Sequence, residues 1–302
     1  MNLLRHWYFD DTVKRIHLVH QQTDETKYSL VVVGLSGTGK SRLAKWYQKQ
    51  FPVVKTPEVP SIPVVYVHLK QPSSPNNLIE QIINALGTSI VARKQTLDKM
   101  IHQLKTLLEK CKTELVILDE VQECLPDTDG PKAQSMAKAF VAIIDKCKIP
   151  LILLGTPSLK RILKLKYRAD KEGVSKEEQL SRRFIATCDL SIFISRTDEW
   201  LEVVNFFGSK AGMRMLHEHD ASLLDRIYVA TGGRIGLIKK LFTFTDFTNK
   251  SNEIKVLYDG YQLVDTTGCP NPFNNKQYCA QAIKIKAQSI ERIYGNYRQI
   301  DT

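Results

Sequence analysis

Gly34-Leu-Ser-Gly-Thr-Gly-Lys-Ser41 is the feature that most restricts how this chain can fold. It fits G-x-x-x-x-G-K-[ST], follows the apolar run Leu30–Val33 and opens a helical pattern, the setting in which such a stretch wraps phosphate. Its glycines let the main chain turn tightly and aim N–H groups at anionic oxygens, and the helix N-terminus adds a favourable dipole. Gly34, Leu35, Ser36, Gly37, Thr38 and Gly39 are expected to cradle the phosphates of ATP. Lys40 is expected to reach the β- and γ-phosphates, and the Ser41 hydroxyl to ligate Mg²⁺. The plainer alternative, a glycine-rich turn with no ligand, leaves the flanking strand and helix patterns as coincidence.

Five short apolar runs have the length and composition of buried parallel strands: Leu30–Val33, Val64–Leu69, Leu115–Leu118, Leu151–Leu154 and Leu190–Ile194. Helical patterns separate them, at Ser41–Phe51, Leu78–Leu86, Thr96–Lys110, Ala133–Lys146 and Ser158–Lys166. Alternating strands and helices predict an α/β fold, a parallel five-stranded sheet flanked by helices, and the loop motif makes it a P-loop domain. After Ile194 the strand signal stops, and Thr197–Lys210, Ser222–Thr231 and Arg234–Phe244 read as helices. The expected division is therefore an ATPase core with its N-terminal linker over 1–195, a smaller helical lid over 196–250, and a loop with a helical tail over 251–302. Within that last part Asp259–Gln277 reads as loop and Gln277–Ile293 as helix.

Leu115-Val-Ile-Leu-Asp119-Glu120 is an apolar run ending in two acids. A buried parallel strand delivers its C-terminal end to the ligand edge of the sheet. There Asp119 is expected to hold the Mg²⁺ shell, and Glu120 to orient and deprotonate the attacking water. Thr156 follows the fourth run and could sense the γ-phosphate; an ordinary Gly-Thr-Pro turn is the competing reading. Arg182 and Arg183 precede the fifth run, where one of them could reach the γ-phosphate of a neighbouring subunit; a basic surface pair is the alternative. Arg234, in Gly232-Gly-Arg-Ile-Gly236, could fold back on the phosphates or be a solvated first-turn side chain. An N-K-x-D base-reading motif is absent, which argues against a GTPase.

Net charge bears on the partner class, although many cytosolic proteins are simply basic. Lys and Arg number 43 against 32 Asp and Glu, a formal +11 that favours polyanions, nucleic acid first. Arg93, Lys94 and Lys99 are the first candidates for contact with duplex DNA, and Lys160–Arg183 is a second basic cluster. Six scattered cysteines without C-x-x-C pairing fit a reduced, cytoplasmic protein, and His217 and His219 lack a metal-ligand spacing. MNLLRHWYFDD has no signal-peptide character, and no run approaches the roughly 18 apolar residues a membrane span needs, so no membrane partner is expected.

Taken together, Gly34–Ser41, Val64-Val-Tyr-Val-His68, Leu118-Asp-Glu120, Leu154-Gly-Thr-Pro157, Leu180-Ser-Arg-Arg-Phe184 and Gly232–Gly236 resemble the TniB/TnsC family of AAA+ ATPases that regulate DNA transposition, including in CRISPR-associated transposons. The resemblance spans about residues 10–250. It implies an ATP-driven homo-oligomer, ring or helical filament, on duplex DNA, bridging a TniQ-like target selector and a DDE transposase. It also implies that Thr156 acts as the first sensor, that one of Arg182 and Arg183 is a trans arginine finger, and that Arg234 is the second sensor. The Cys269-Pro-Asn-Pro-Phe273 loop carries no such motif and is expected to meet a partner. Other classes stay open: a replication initiator or helicase loader with the same chemistry, and a nucleotide-switched signalling protein that needs no DNA.

Overall fold

The computed structural model describes residues 6–55, 59–72, 74–88, 95–126, 128, 130–165, 178–248 and 252–294. Two compact units emerge. One holds Tyr8–Gly34 and Lys40–Leu190; the other holds the described residues of Met1–Trp7, Leu35–Gly39 and Ser191–Thr302.

The first unit opens with all but the first residue of α1 (Trp7–His20), where Tyr8, Phe9, Thr12, Ile16 and Val19 are buried at helical spacing. The sequence reading assigns no element before Leu30, so α1 is an addition. There follow β1 (Leu30–Val33), α2 (Lys40–Lys49), β2 (Val64–His68), α3 (Pro75–Ala85), α4 (Leu97–Lys110), β3 (Leu115–Asp119), α5 (Pro131–Cys147), β4 (Leu151–Gly155), the one-turn α6 (Glu178–Ser181) and β5 (Cys188–Asp189). Ser74 and Thr96 cap α3 and α4 by accepting the Asn77 and Lys99 N–H groups, which sets the starts of both helices.

The five strands pair in parallel, in the order β2-β3-β4-β1-β5. β1, β3 and β4 are buried at every position, as strands covered on both faces must be. Ile82, Leu104, Val116 and Phe140 belong to the continuous core beneath the helices. Two expected elements differ. The fifth strand is only Cys188–Asp189, upstream of the apolar run that follows it. Leu190 still donates its N–H to the Val33 carbonyl of β1 at 2.7 Å, whereas Ile192 and Phe193 are buried outside the ladder, so most of that run records burial rather than pairing. The helix expected at Ser158–Lys166 is a 3₁₀ segment, Pro157–Lys164.

The second unit is helical: α7 (Asp198–Lys210), α8 (Ala221–Thr231), α9 (Ile235–Thr243), α10 (Glu253–Val264) and α11 (Ala280–Tyr294). Trp200 and Tyr228 are fully buried and meet edge to face at 5.1 Å. α10 runs into the stretch expected to be loop. Its Gly260 marks packing rather than a turn, since a Cβ there would lie 2.2 Å from Thr245 Cγ2. The Cys269–Phe273 loop is anchored in its own unit through Pro272 and Phe273, while Cys269 and Pro270 are exposed. Phe273 is 2% exposed and meets Tyr261, while Arg226 donates to the carbonyls of Pro272 and Tyr278.

Ser29 joins two strands from outside both. Its fully buried hydroxyl oxygen accepts the Leu151 N–H at 2.9 Å where β4 begins. Ser29→Ala would leave that N–H without its acceptor, and urea unfolding should show a loss of about 1–3 kcal/mol.

Candidate nucleotide site

Because β3, β4 and β1 are neighbours, the segments leaving their carboxyl ends emerge side by side. These are Asp119-Glu120, Thr156 and the loop starting at Gly34. The Gly34 N–H donates to the Gly155 carbonyl at 3.1 Å, joining two of the three directly.

In the loop Gly37 and Gly39 have φ of 84° and 100°, which residues with a Cβ rarely adopt. Lys40 is 5% exposed, and its Nζ donates to the Gly34 carbonyl at 2.7 Å. Burial lowers its pKa, and the charges of Glu120 and Asp119 offset part of that drop. A buried ammonium facing two acids is suited to holding anionic oxygens. The loop tip, Leu35–Gly39, belongs to the second unit. There the Gly236 N–H donates to the Gly37 carbonyl at 2.8 Å, and a Cβ on Gly236 would lie 3.0 Å from that oxygen. Arg234 lies back over its own turn, its Nε donating to the Thr231 carbonyl at 3.4 Å.

Asp119 has no solvent exposure. Its Oδ2 accepts the Tyr66 hydroxyl at 2.7 Å and its Oδ1 accepts the Glu120 N–H at 3.0 Å. The register explains the first bond. Tyr66 pairs with Ile117 and His68 with Asp119, so the two-residue period puts all four side chains on one face. Tyr66 is also hydrogen-bonded to Ser41, and its phenol is pushed well above its ordinary range, first by burial and then by Asp119. Ser41 and Asp119 thus converge on a single phenolic oxygen. Two hard oxygen donors meeting at one point fit a shared Mg²⁺.

Glu120 follows in left-handed backbone, φ 59° and ψ 39°. Gln122 Nε2 donates to its Oε2, and Gln122 Oε1 accepts the Thr156 N–H at 3.1 Å. The Thr156 hydroxyl shares a 2.7 Å hydrogen bond with Ser158.

The arginine pair divides. Arg183 grips Asp145 of α5 with Nε–Oδ1 at 2.6 Å and Nη2–Oδ2 at 2.5 Å, whereas Arg182 is exposed. Of the DNA candidates, Arg93 and Lys94 lie outside the described residues. Lys99 is exposed in the first turn of α4. In the second basic cluster Lys160 pairs with Asp189 at 2.9 Å, and residues 166–177 lie outside the described residues.

The profile of the bacterial TniB protein family matches residues 4–187. The chain belongs to the TniB family. No curated protein matches it in sequence. Among solved structures, this TniB-family chain is similar to Cdc6p from Pyrobaculum aerophilum, with a TM-score of 0.57, 14% identity, and 97% and 82% of the two chains covered. It is also similar to the Walker-type ATPase PABY2304 of Pyrococcus abyssi, with a TM-score of 0.53, 13% identity, and 93% and 89% covered. At these identities the likeness establishes the fold, the P-loop AAA+ architecture. Among the described residues no helix is long and apolar enough to cross a membrane.

Sequence reasoning missed Tyr66 and Gln122 as site residues. Tyr66 carried a signal, a polar aromatic inside an apolar strand run. Gln122 carried none beyond its place two residues after Glu120. Tyr66→Phe removes a donor to a buried carboxylate, so thermal unfolding in magnesium-free buffer should show a deficit of about 1–3 kcal/mol. Adding Mg²⁺ and ATP should narrow the gap to wild type, because a cation then faces Asp119 where the phenol did. An equal deficit under both conditions would contradict this placement.

Proposed function

We propose that this TniB-family chain is a magnesium-dependent ATPase that assembles on duplex DNA and relays a target-site choice to a transposase. The convergence of Lys40, Ser41, Asp119 and Glu120 at the ends of adjacent strands carries the ATPase part. Family membership and the +11 charge support the DNA part.

In this reading the N–H groups and Lys40 bind the phosphates, and Ser41 and Asp119 hold Mg²⁺. When bound, Mg²⁺ neutralises charge on the β- and γ-phosphate oxygens. Glu120 accepts a proton from water as the water oxygen bonds the γ-phosphorus and the bond to the β-bridging oxygen breaks, leaving ADP and phosphate. Arg182, the exposed member of its pair, supplies positive charge to the site of a neighbouring subunit. Arg234 turns from its own helix start toward the phosphates. Lys99, with Arg93 and Lys94, meets the DNA backbone, whose phosphates position a protein without specifying sequence. A TniQ-type selector and a DDE transposase are the protein partners.

Two variants separate binding from hydrolysis. Lys40→Ala should abolish ATP binding, whereas Glu120→Gln should bind ATP normally and hydrolyse it about 100-fold more slowly or worse. Equal loss of binding in both would contradict the assigned roles.

Assembly and DNA contact are tested together. Mixing Lys40→Ala protein with Arg182→Ala protein should restore some ATPase activity, because one partner then brings an intact pocket and the other an intact arginine. With ATP, duplex affinity should fall steeply with salt. Neutralising Arg93, Lys94 and Lys99 should flatten the log–log slope by about one unit per lost phosphate contact. A wild-type protein that stays monomeric and ignores duplex DNA at low salt would sink the transposition reading.

A further inference from the structure

Glu120 occupies a backbone region that costs a non-glycine residue about 1–3 kcal/mol, so neighbouring contacts must hold it there. Its side chain is hydrogen-bonded by Gln122, whose amide spans from the Glu120 carboxylate to the main chain at Thr156. The two bonds fix which way the amide faces. Turned over, its NH₂ would meet the Thr156 N–H and its carbonyl would meet the carboxylate, a donor against a donor and an acceptor against an acceptor.

Space is reserved for this bridge. A Cβ on Gly155 would fall 2.6 Å from Gln122 Oε1 and 2.9 Å from Leu159 Cδ2, so β4 has to end in glycine for the amide to lie where it does. Val121 and Cys124 are buried on either side of Gln122 and anchor its 3₁₀ turn, Val121–Cys124. Beyond it lies an open cavity of about 520 Å³, lined in part by Gln71, Gln122, Lys132, Ser158 and Arg161, so packing alone does not call for an amide at this position.

We propose that Gln122 is a positioning residue: it aims the Glu120 carboxylate at the attacking water and ties that aim to the backbone of Thr156. This rests on the ATPase reading above. The amide engages one carboxylate oxygen and leaves the other to take the proton. Being neutral, it does so without adding charge beside Lys40 and Asp119. A shift of the β4 end at Thr156 moves the amide and, with it, the base.

The experiment is steady-state ATPase kinetics of the full chain, with equilibrium ATP binding measured alongside. Gln122→Ala should lower kcat about 10- to 100-fold, the scale of a misplaced catalytic group, with ATP affinity within about twofold of wild type. Gln122→Glu keeps size and shape and guards against a folding artefact. While protonated, the introduced carboxyl can donate to Glu120 and accept from Thr156 as the amide does. As pH rises that shared proton is lost and two carboxylates face each other. Its kcat should therefore gain a falling alkaline limb absent from wild type. Hydrogen exchange at the Thr156 amide should speed up in Gln122→Ala. Wild-type kcat in Gln122→Ala, or a Gln122→Glu pH profile parallel to wild type, overturns the inference. If wild type hydrolyses ATP and needs Glu120 but tolerates Gln122→Ala, this inference alone fails. If Glu120→Gln hydrolyses at the wild-type rate, the ATPase reading fails first.

Discussion

A carboxylate with no solvent exposure closes β3, and much of the candidate site follows from satisfying it. Asp119 needs donors within a dry sheet edge, and it has two. One is the Tyr66 hydroxyl, which requires β2 beside β3 in the observed register. The other is the N–H of the next residue, which requires the chain to turn sharply, and Glu120 accordingly stands in left-handed backbone. That turn directs the second acid away from the strand axis and toward Gln122. A buried anion left without such partners would cost several kcal/mol, so these bonds are conditions of the fold and not ornaments on it.

Lys40 is the counterpart in charge. Its ammonium is buried and held by the Gly34 carbonyl, with two acids close enough to raise its basicity against the pull of burial. At the loop tip, Gly37 and Gly236 approach so closely that neither backbone leaves room for a side chain at Gly236. The glycine-rich stretch around Arg234 therefore has a steric reason of its own, separate from any role of the arginine.

The sheet was legible in the sequence because its buried strands are nearly pure apolar runs and its loop motif is long. The fifth strand was not, because Ile192 and Phe193 are buried beyond the short ladder at Cys188–Asp189, and hydrophobicity cannot distinguish such burial from ladder pairing. α10 was hidden by Gly260, which reads as a turn former but serves close contact with Thr245. The acids and the lysine of the candidate site stand in recognisable spacings, whereas the residues that orient them do not. Tyr66 reaches Asp119 across two strands, and Gln122 reaches Thr156 across 34 positions of chain. Long-range partners leave no local pattern to read.

The Arg226 guanidinium has a consequence for any shortened version of this chain. It is 4% exposed, burial lowers its pKa, and it donates to carbonyls of Pro272 and Tyr278. A chain ending near residue 250 would keep the cation and discard both acceptors. It would also uncover the pocket that Phe273 fills. The C-terminal segment is thus part of the second unit's interior, much as a keystone belongs to its arch. Lost activity in such a truncate would report a collapsed helical unit before it reported a missing partner-binding tail.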